Sequence, residues 1–199
     1  MKDRHKGETC IVIASGPSLK DVPNEFLESY VTFGVNKIWL KGFSPTYYMA
    51  IDPWMNPYTR QMRDMRCKDC FLKRSFLRDI PEGHVRGIVL RDTPEIEWGI
   101  EKDGGTVIYP CLQLAHHMGF ETVLLVGLDH TGDATYFHKD YNIWVAKKEY
   151  RWAGELVDTA FRVAREKYEE SGRRIINLTP DSKCDVFEKQ DIELWQTHT

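Results

Sequence analysis

The chain has 199 residues, of which 42% are hydrophobic and 12% aromatic. This composition suits a packed core and excludes a mostly disordered chain, and the length suits a single domain over residues 1–199. The 27 basic and 30 acidic residues give a formal net charge of -3, which provides no overall positive field for nucleic acid or an anionic membrane.

The sequence also bears on compartment. It contains no apolar run long enough to span a membrane, and the polar start Met1–Lys6 does not resemble a signal peptide. A cytoplasmic protein is therefore expected. The five scattered cysteines are typical of reduced thiols, and Cys67 and Cys70 lack the second ligand pair of a zinc site.

The first half of the chain alternates apolar runs with polar segments. Cys10–Ala14 is continuous and β-branched, and Gly16 and Pro17 follow it, which predicts a strand buried on both faces. The pattern then predicts a helix over 24–30, strands over 31–35 and 47–51, a helix over 54–66, and a short strand over 70–72.

The second half continues the alternation. Residues 91–103 lack clear periodicity and are expected to form a flap. The other predicted elements are a strand over 87–90, a helix opened by Gly104 and Gly105 and closed by Gly119, a strand over 122–126, a polar active-site loop at about 128–150, a helix over 151–171 and a strand over 174–178.

This alternation predicts an α/β protein, with a Rossmann-like, mostly parallel sheet covered by helices on both faces. In such sheets ligands bind at the carboxyl ends of the strands, so the chemistry is expected in the loops that follow them.

Two glycine-bearing loops are candidate phosphate sites. Ser15-Gly16-Pro17-Ser18 joins a buried strand to a helix, where free amides and the helix dipole favour an anion. Gly104-Gly105-Thr106 repeats this arrangement, and two such loops suit a nucleotide. The alternative is that both are ordinary capping turns. The G-x-G-x-x-G and Walker lysine patterns are absent.

Other polar residues follow the strands. Asn36 and Asp52 are candidates to bind ribose or base hydroxyls, although either could be a turn former and Asp52 could hold a cation. Asp129 begins the densest polar segment, 127–141, and joins the predicted nucleotide-binding set. In that segment a histidine could exchange protons and a tyrosine could stabilise a departing phosphate. A metal site using His130, Asp133 and His138, or a merely solvated loop, are the alternatives.

Several short motifs, in order along nearly the whole chain, resemble the MptE-like Rossmann superfamily, and within it the bacterial sialyltransferases of the Campylobacter type. The motifs are Gly16-Pro17-Ser18-Leu19, Gly34-Val35-Asn36, Ile51-Asp52-Pro53, Gly104-Gly105, Gly127-Leu128-Asp129, Tyr136-Phe137-His138 and Asn177-Leu178-Thr179-Pro180.

The resemblance implies transfer of a sugar from a CMP-activated donor without a required metal. It assigns His138 as the base and Tyr136 or Tyr141 to the leaving phosphate, with Asn36, Gly105 and Thr106 on the donor. Asp52 stands where those enzymes carry Asn. A second branch of the superfamily transfers diphosphate from ATP to a hydroxymethylpterin with magnesium, and Ile51-Asp52-Pro53 resembles that branch more closely.

The leading hypothesis is a nucleotide-sugar-dependent glycosyltransferase that needs no cofactor, with surface glycan synthesis as its expected role. Its expected partners are a nucleotide-sugar donor and a glycan or small-molecule acceptor, and a homo-oligomer is left open. The alternatives are a magnesium-dependent diphosphokinase and a nucleotide-binding protein without catalysis.

Overall fold

The apolar runs form the strands of one parallel sheet. A computed structural model describes residues 1–72, 85–87, 98, 104–132, 135–141 and 147–196. The strands are β1 (Thr9–Ile13), β2 (Val31–Val35), β3 (Tyr47–Ala50), β4 (Asp69–Leu72), β5 (Val85–Gly87), β6 (Thr122–Val126), β7 (Arg174–Asn177) and β8 (Glu188–Lys189). Their order is β5-β4-β3-β2-β1-β6-β7-β8, and every neighbouring pair is parallel.

Helices connect the strands. They are α1 (Asn24–Glu28), α2 (Thr59–Asp64), α3 (Ile108–His117) and α4 (Lys147–Glu170), with 3-10 helices at Pro17–Asp21, Ile38–Lys41, Pro53–Tyr58 and Ile192–Trp195. Among the described residues, no helix is long and apolar enough to span a bilayer.

The sheet is buried on both faces because its strands are apolar on both faces. Cys10 and Val12 of β1 join the core beneath α3 and α4, whereas Ile11 and Ile13 join the core on the opposite face with Leu19. Successive strand side chains point to opposite faces, so each continuous apolar run contributes to both cores. The result is the helix, sheet, helix layering that the sequence predicts.

The strand order fixes where a ligand crevice lies. β1 lies between β2 and β6, and the chain leaves it in one direction towards β2 and later returns on its other side with β6. This is the topological switch point, and in open α/β sheets ligands bind outside the carboxyl ends of the strands there. The loops after β1 and β6 flank that crevice.

The α/β Rossmann-like prediction is confirmed, and β2 and β6 have the predicted bounds. Several other bounds shift by one or two residues, the helix predicted over 54–66 is a 3-10 helix followed by α2, and three further differences stand out. α3 begins at Ile108, because Gly104 and Gly105 have φ of 61° and 75° and form a left-handed turn before it. α4 already begins at Lys147, which shortens the predicted loop, and β5 covers Val85–Gly87, earlier than predicted. The predicted flap lies, apart from Trp98, outside the described residues.

One cysteine prediction is corrected. Cys67 and Cys70 are paired as a disulfide, whereas the sequence predicts reduced thiols. The chain turns into β4 between them, which brings their Cα atoms to 6.6 Å, within the range that a disulfide spans. Cys10, Cys111 and Cys184 are free and buried.

Candidate functional site

The carboxylate of Asp129 closes the loop after β1. Its Oδ2 accepts a hydrogen bond from the Ser18 hydroxyl at 2.8 Å, and its Oδ1 accepts one from the Ser18 amide at 3.1 Å. Gly16 makes room for this contact, because a Cβ on Gly16 would lie 2.0 Å from Asp129 Oδ2 and 2.6 Å from the carbonyl oxygen of Gly127. The loops after β1 and β6 are thereby joined across the switch point.

These contacts change the expected role of Ser15-Gly16-Pro17-Ser18. The amide of Gly16 donates to Gly127, that of Ser18 to Asp129, and that of Leu19 to Gly16, while Pro17 has no amide hydrogen. The carboxylate of Asp129 already occupies the amino end of the Pro17–Asp21 helix, so the geometry does not favour these amides as a phosphate cradle. Nucleotide binding by this loop stays a prediction, and Ser15 is the loop residue that lies in the polar cluster where a ligand is expected.

Ser15 belongs to a polar cluster over β1, β2 and β3. Its hydroxyl lies 2.7 Å from the hydroxyl of Tyr141, and the side-chain amide of Asn36 donates to Asp52 Oδ2 at 3.1 Å. Burial raises the pKa of Tyr141, and the Ser15 hydroxyl, the Lys37 amide and the Asn36 side chain partly oppose this. Tyr141 is therefore a neutral phenol at physiological pH, able to donate a proton or a hydrogen bond.

Asn36 has two features of a binding residue. Its φ is 48°, in the left-handed region, and the backbone holds it there through its amide bonded to Met49 and its carbonyl bonded to the Tyr48 hydroxyl. Its side-chain oxygen Oδ1 is buried without a hydrogen-bond partner among the described residues. Because Asp52 holds the amide nitrogen, this oxygen is kept as an acceptor at the carboxyl edge of β2.

An aromatic box surrounds Lys37, the residue after Asn36. The Lys37 ammonium donates to the Tyr58 hydroxyl at 2.8 Å and lies 4.1 Å from the centre of that ring. It also lies 5.8 Å from the ring centres of Trp54 and Tyr141. Lys37 is only 2% exposed. A buried ammonium beside the polar cluster provides positive charge where an anionic ligand group would bind.

The loop after β6 places Tyr136 and Phe137 on this cluster. The Tyr136 ring stacks on Tyr141 at 4.4 Å between centres, and the amide of Phe137 donates to the carbonyl of Ser15 at 3.2 Å. The structure thus brings together five of the predicted site residues: Ser15, Asn36, Asp52, Tyr136 and Tyr141.

His138 lies beside this cluster in a defined tautomeric setting. Its Nδ1 accepts a hydrogen bond from the amide of Asp140 at 3.1 Å. In the neutral ring the proton is then on Nε2, which makes this nitrogen a donor. The geometry therefore gives His138 a hydrogen-bond donor at Nε2, and its predicted role as the base stays untested.

In His130 the nitrogen that contacts a neighbouring group is Nε2, whereas in His138 it is Nδ1. Its Nε2 lies 2.8 Å from Asp158 Oδ1 on α4, and its ring lies 6.1 Å from that of Phe161. Its φ is 54°, a left-handed conformation that is uncommon for a residue other than glycine. His130 thus lies in the turn after β6, and its side chain joins that loop to α4.

Gly104, Gly105 and Thr106 lie before α3, at the same carboxyl edge of the sheet. A Cβ on Gly104 would lie 2.6 Å from the Cβ of Ala160, so this turn packs tightly on α4. The Thr106 hydroxyl accepts from the Ile108 amide at 3.3 Å, which is the capping interaction named as the alternative. Nucleotide binding by this turn stays a prediction.

The described residues contain no group of three or more His, Cys, Asp or Glu side chains that could hold a metal ion. Asp133, one of the three candidate ligands in the metal alternative, lies outside the described residues. Asp52, the candidate for magnesium, has the Asn36 amide as a partner.

Four residues of the site were not foreseen. Lys37 directly follows the predicted Asn36, and Trp54 lies two residues after the predicted Asp52, so proximity to strand ends is the signal that could have found these two. Tyr58 lies further on, in the 3-10 helix that follows Asp52. Asp158 had no such signal, because it is one of many polar residues on a long amphipathic helix. Only the fold brings it to His130.

The fold and this edge cluster define an α/β protein with a Rossmann-like sheet and a polar, aromatic-walled site at the carboxyl ends of its central strands. The sialyltransferase CstII from Campylobacter jejuni in complex with the substrate analogue cytidine-5'-monophosphate is similar in structure, with a TM-score of 0.65 and 11% identity over 98% of this chain and 88% of that one.

CstII in complex with the substrate analogue CMP-3FNeuAc gives a TM-score of 0.64 and 14% identity over 100% and 90% of the two chains. An alpha-2,3-sialyltransferase from C. jejuni in apo form gives 0.60 and 15%, over 100% and 87%. No protein-family model and no curated protein matches the chain. These similarities show a shared fold.

Proposed function

We propose that this protein is a glycosyltransferase that uses a nucleotide sugar, with a CMP-activated sugar as the favoured donor. The observation that carries the proposal is the buried, unpartnered Oδ1 of Asn36, held beside the Ser15 and Tyr141 hydroxyls at the carboxyl edge of the sheet. The fold likeness to enzymes solved with cytidine-5'-monophosphate and CMP-3FNeuAc supports the choice of nucleotide.

Asn36 fits a nucleoside because its buried side-chain oxygen lacks a hydrogen-bond partner among the described residues. A buried acceptor without a partner costs about 1–3 kcal/mol, and a ligand that donates a hydrogen bond to it recovers this cost. Nucleosides present such donors as base amino groups and ribose hydroxyls. Since Asp52 occupies the Asn36 amide nitrogen, the site selects a donor group at this position and disfavours an acceptor.

The surrounding groups suit the phosphate that leaves in sugar transfer. In that reaction the acceptor oxygen bonds to the anomeric carbon, the bond from this carbon to the phosphate oxygen breaks, and the acceptor loses its proton. Negative charge develops on the departing nucleotide. The Lys37 ammonium and the neutral Tyr141 hydroxyl lie in one cluster, 5.8 Å between ammonium and ring centre, and can stabilise that charge.

Finer parts of the proposal come from the motif resemblance. They are a sialic-acid type of sugar, membership of the MptE-like superfamily, a role in surface glycan synthesis, and the catalytic roles of His138 and Tyr136. The magnesium-dependent diphosphokinase is the alternative that the test below separates from this proposal. Its candidate metal ligand, Asp52, accepts a hydrogen bond from the Asn36 amide.

The test is a thermal-shift screen of CMP, CDP, UDP, GDP and ATP, each with and without magnesium. CMP at one hundred times its dissociation constant should stabilise the protein by about 2.7 kcal/mol without metal. Stabilisation only by ATP with magnesium would favour the diphosphokinase. A protein that none of the five stabilises would overturn the proposal.

A pair of variants locates the binding. Asn36→Gly removes the amide, and glycine adopts the φ of 48° without strain. Asn24→Gly is the matched control, because Asn24 on α1 also has a buried, unpartnered Oδ1 but lies outside the cluster. Stabilisation by CMP should be lost in Asn36→Gly and kept in Asn24→Gly.

A further inference from the structure

The pair formed by His130 and Asp158 has the geometry of a proton-accepting dyad. The 2.8 Å contact joins Nε2 of the imidazole to a carboxylate oxygen, and 23% and 38% of the two side chains are exposed. The pair is thus partly shielded and still open to a substrate. The left-handed φ of His130 shows that the backbone accepts an unfavourable conformation to hold the ring there.

The dyad fixes which nitrogen can take a proton. A neutral imidazole that donates from Nε2 to Asp158 carries its lone pair on Nδ1. The carboxylate holds the ring in this tautomer and stabilises the imidazolium that forms when Nδ1 accepts a proton. In His138, by contrast, Nδ1 is the nitrogen in contact: it accepts the Asp140 amide at 3.1 Å and lies 3.8 Å from the Asp140 carboxylate. With Nδ1 as the acceptor, the neutral ring has no lone pair to offer at Nε2.

The position of His130 matches that chemistry. It directly follows Asp129, whose carboxylate is bound to Ser18 at the switch point between β1 and β6. One turn of α4 presents Asp158 to His130 and Ala160 to Gly104. His130 therefore extends from the loop after β6 towards α4, on the side of the sheet where Phe161 belongs to the core, whereas Trp54 and Tyr58 of the Lys37 aromatic box pack against the core on the other side.

Few ionisable groups surround the ring. Asp158 faces it from α4, and Asp129 precedes it in the loop. The Cys184 thiol of the C-terminal segment lies near Asp158, and its pKa is raised by burial and, more weakly, by the Asp158 charge. The carboxylate of Asp158 is thus the charge that acts on His130.

We propose that His130 is the general base of the transfer reaction and that Asp158 is its positioning residue. The acceptor hydroxyl gives its proton to Nδ1 of His130 while its oxygen bonds to the anomeric carbon. The electron pair of the broken bond leaves with the nucleoside monophosphate. This inference rests on the proposed glycosyltransferase function, and it leaves His138 Nε2 to donate a hydrogen bond to the leaving phosphate.

The test compares His130→Asn, His138→Asn and Asp158→Asn by the release of CMP from CMP-sialic acid, with water or simple sugars as acceptors. Asparagine tolerates the φ of 54°, so His130→Asn removes the base without straining the backbone. Its kcat should fall by about 10²- to 10⁴-fold. The rise of rate with pH that a general base produces should disappear in His130→Asn and persist in His138→Asn.

Two controls make the outcomes distinct. His116→Asn changes a histidine bonded to Ser171, at the opposite edge of the sheet, and should leave the rate and the pH profile unchanged. Asp158→Asn keeps an acceptor for Nε2 but removes the charge that stabilises the imidazolium, so it should lower kcat and leave KM unchanged. CMP binding in the thermal-shift screen should be equal in the wild type, His130→Asn, Asp158→Asn and His116→Asn, whereas His138→Asn, which removes a donor to the phosphate, should bind CMP more weakly.

A His130→Asn enzyme within a few-fold of the wild-type rate, with its pH profile intact, would overturn the dyad and leave the proposed function standing. A wild-type protein that CMP does not stabilise would instead remove the proposed function, and the dyad with it.

Discussion

The Asp129 carboxylate accepts hydrogen bonds from both the amide and the hydroxyl of Ser18, at 3.1 and 2.8 Å. This Asp129–Ser18 bridge spans the switch point between β1 and β6. A glycine is required at position 16 for this contact, because the carboxylate lies where a Cβ would be. The two loops that flank the ligand crevice are thereby held in one arrangement before any ligand binds, which lowers the ordering cost of binding.

Removing this bridge should lower the free energy of unfolding. Asp129→Ala deprives two donors of Ser18 of their partner, and we expect a loss of about 1.5–3 kcal/mol, as for hydrogen bonds to a charged group. Ser18→Ala removes only the hydroxyl donor and should cost less. Urea unfolding measures both. Asp185→Ala removes an exposed carboxylate paired with Lys189 and should leave the midpoint unchanged. Equal stability of Asp129→Ala and the wild type would contradict the bridge.

Gly16→Ala should displace Asp129 by steric conflict. The new Cβ would meet Asp129 Oδ2 at 2.0 Å and the Gly127 carbonyl at 2.6 Å, so we expect destabilisation of at least about 1 kcal/mol, as for overpacking. Gly154→Ala is the matched control, since a Cβ there meets nothing within 4 Å and alanine favours the helix. Its melting temperature should equal or exceed that of the wild type. If Gly16→Ala and Gly154→Ala have the same melting temperature, the loops after β1 and β6 can separate without a loss of stability, which would contradict the prediction.

Stability should fall as the pH rises above about 9. Burial raises the pKa of the Cys10 and Cys111 thiols and of the Tyr48, Tyr141 and Tyr168 phenols. The unfolded chain loses these protons at their ordinary pKa values, about 8.5 for Cys and 10 for Tyr, while the folded chain still holds them. The unfolded state then binds fewer protons, so the free energy of unfolding decreases with pH. Urea unfolding at pH 7, 9, 10 and 11 measures this decline.

Tyr141→Phe tests one contributor to that decline. The variant removes a single raised phenol, so the stability lost between pH 9 and 11 should be smaller than in the wild type. Tyr58→Phe is the control, because Tyr58 is another phenol of the same aromatic box, bonded to Lys37. An unchanged slope in Tyr141→Phe would show that its hydroxyl titrates alike in both states.

Asp52→Asn should keep most of the transfer rate in EDTA. The asparagine oxygen can still accept from the Asn36 amide, which is the interaction that orients Asn36 Oδ1. Asp52→Ala removes that acceptor and should weaken CMP binding about tenfold, equivalent to about 1.4 kcal/mol for a hydrogen bond. CMP release and calorimetry measure the two effects. Loss of all activity in Asp52→Asn, together with dependence on magnesium, would favour the diphosphokinase.

The sequence by itself determined the order of the elements and the edge of the sheet that carries the site. Continuous apolar runs such as 122–126 can be satisfied only in a strand buried on both faces, so their period and length predict β6 and the parallel sheet. Asn36, Asp52 and Tyr141 follow strands, and the direction of parallel strands brings such positions to one edge.

The tertiary structure alone decided which polar groups pair. Asp129 lies 111 residues from Ser18, Tyr141 lies 126 residues from Ser15, and His130 meets Asp158 on another element. No local pattern encodes such contacts, because they depend on how the loops pack after the sheet forms. For the same reason a helix start that looked free for a phosphate is filled by a carboxylate of the chain, and His130 meets a carboxylate that lies 28 residues away on α4.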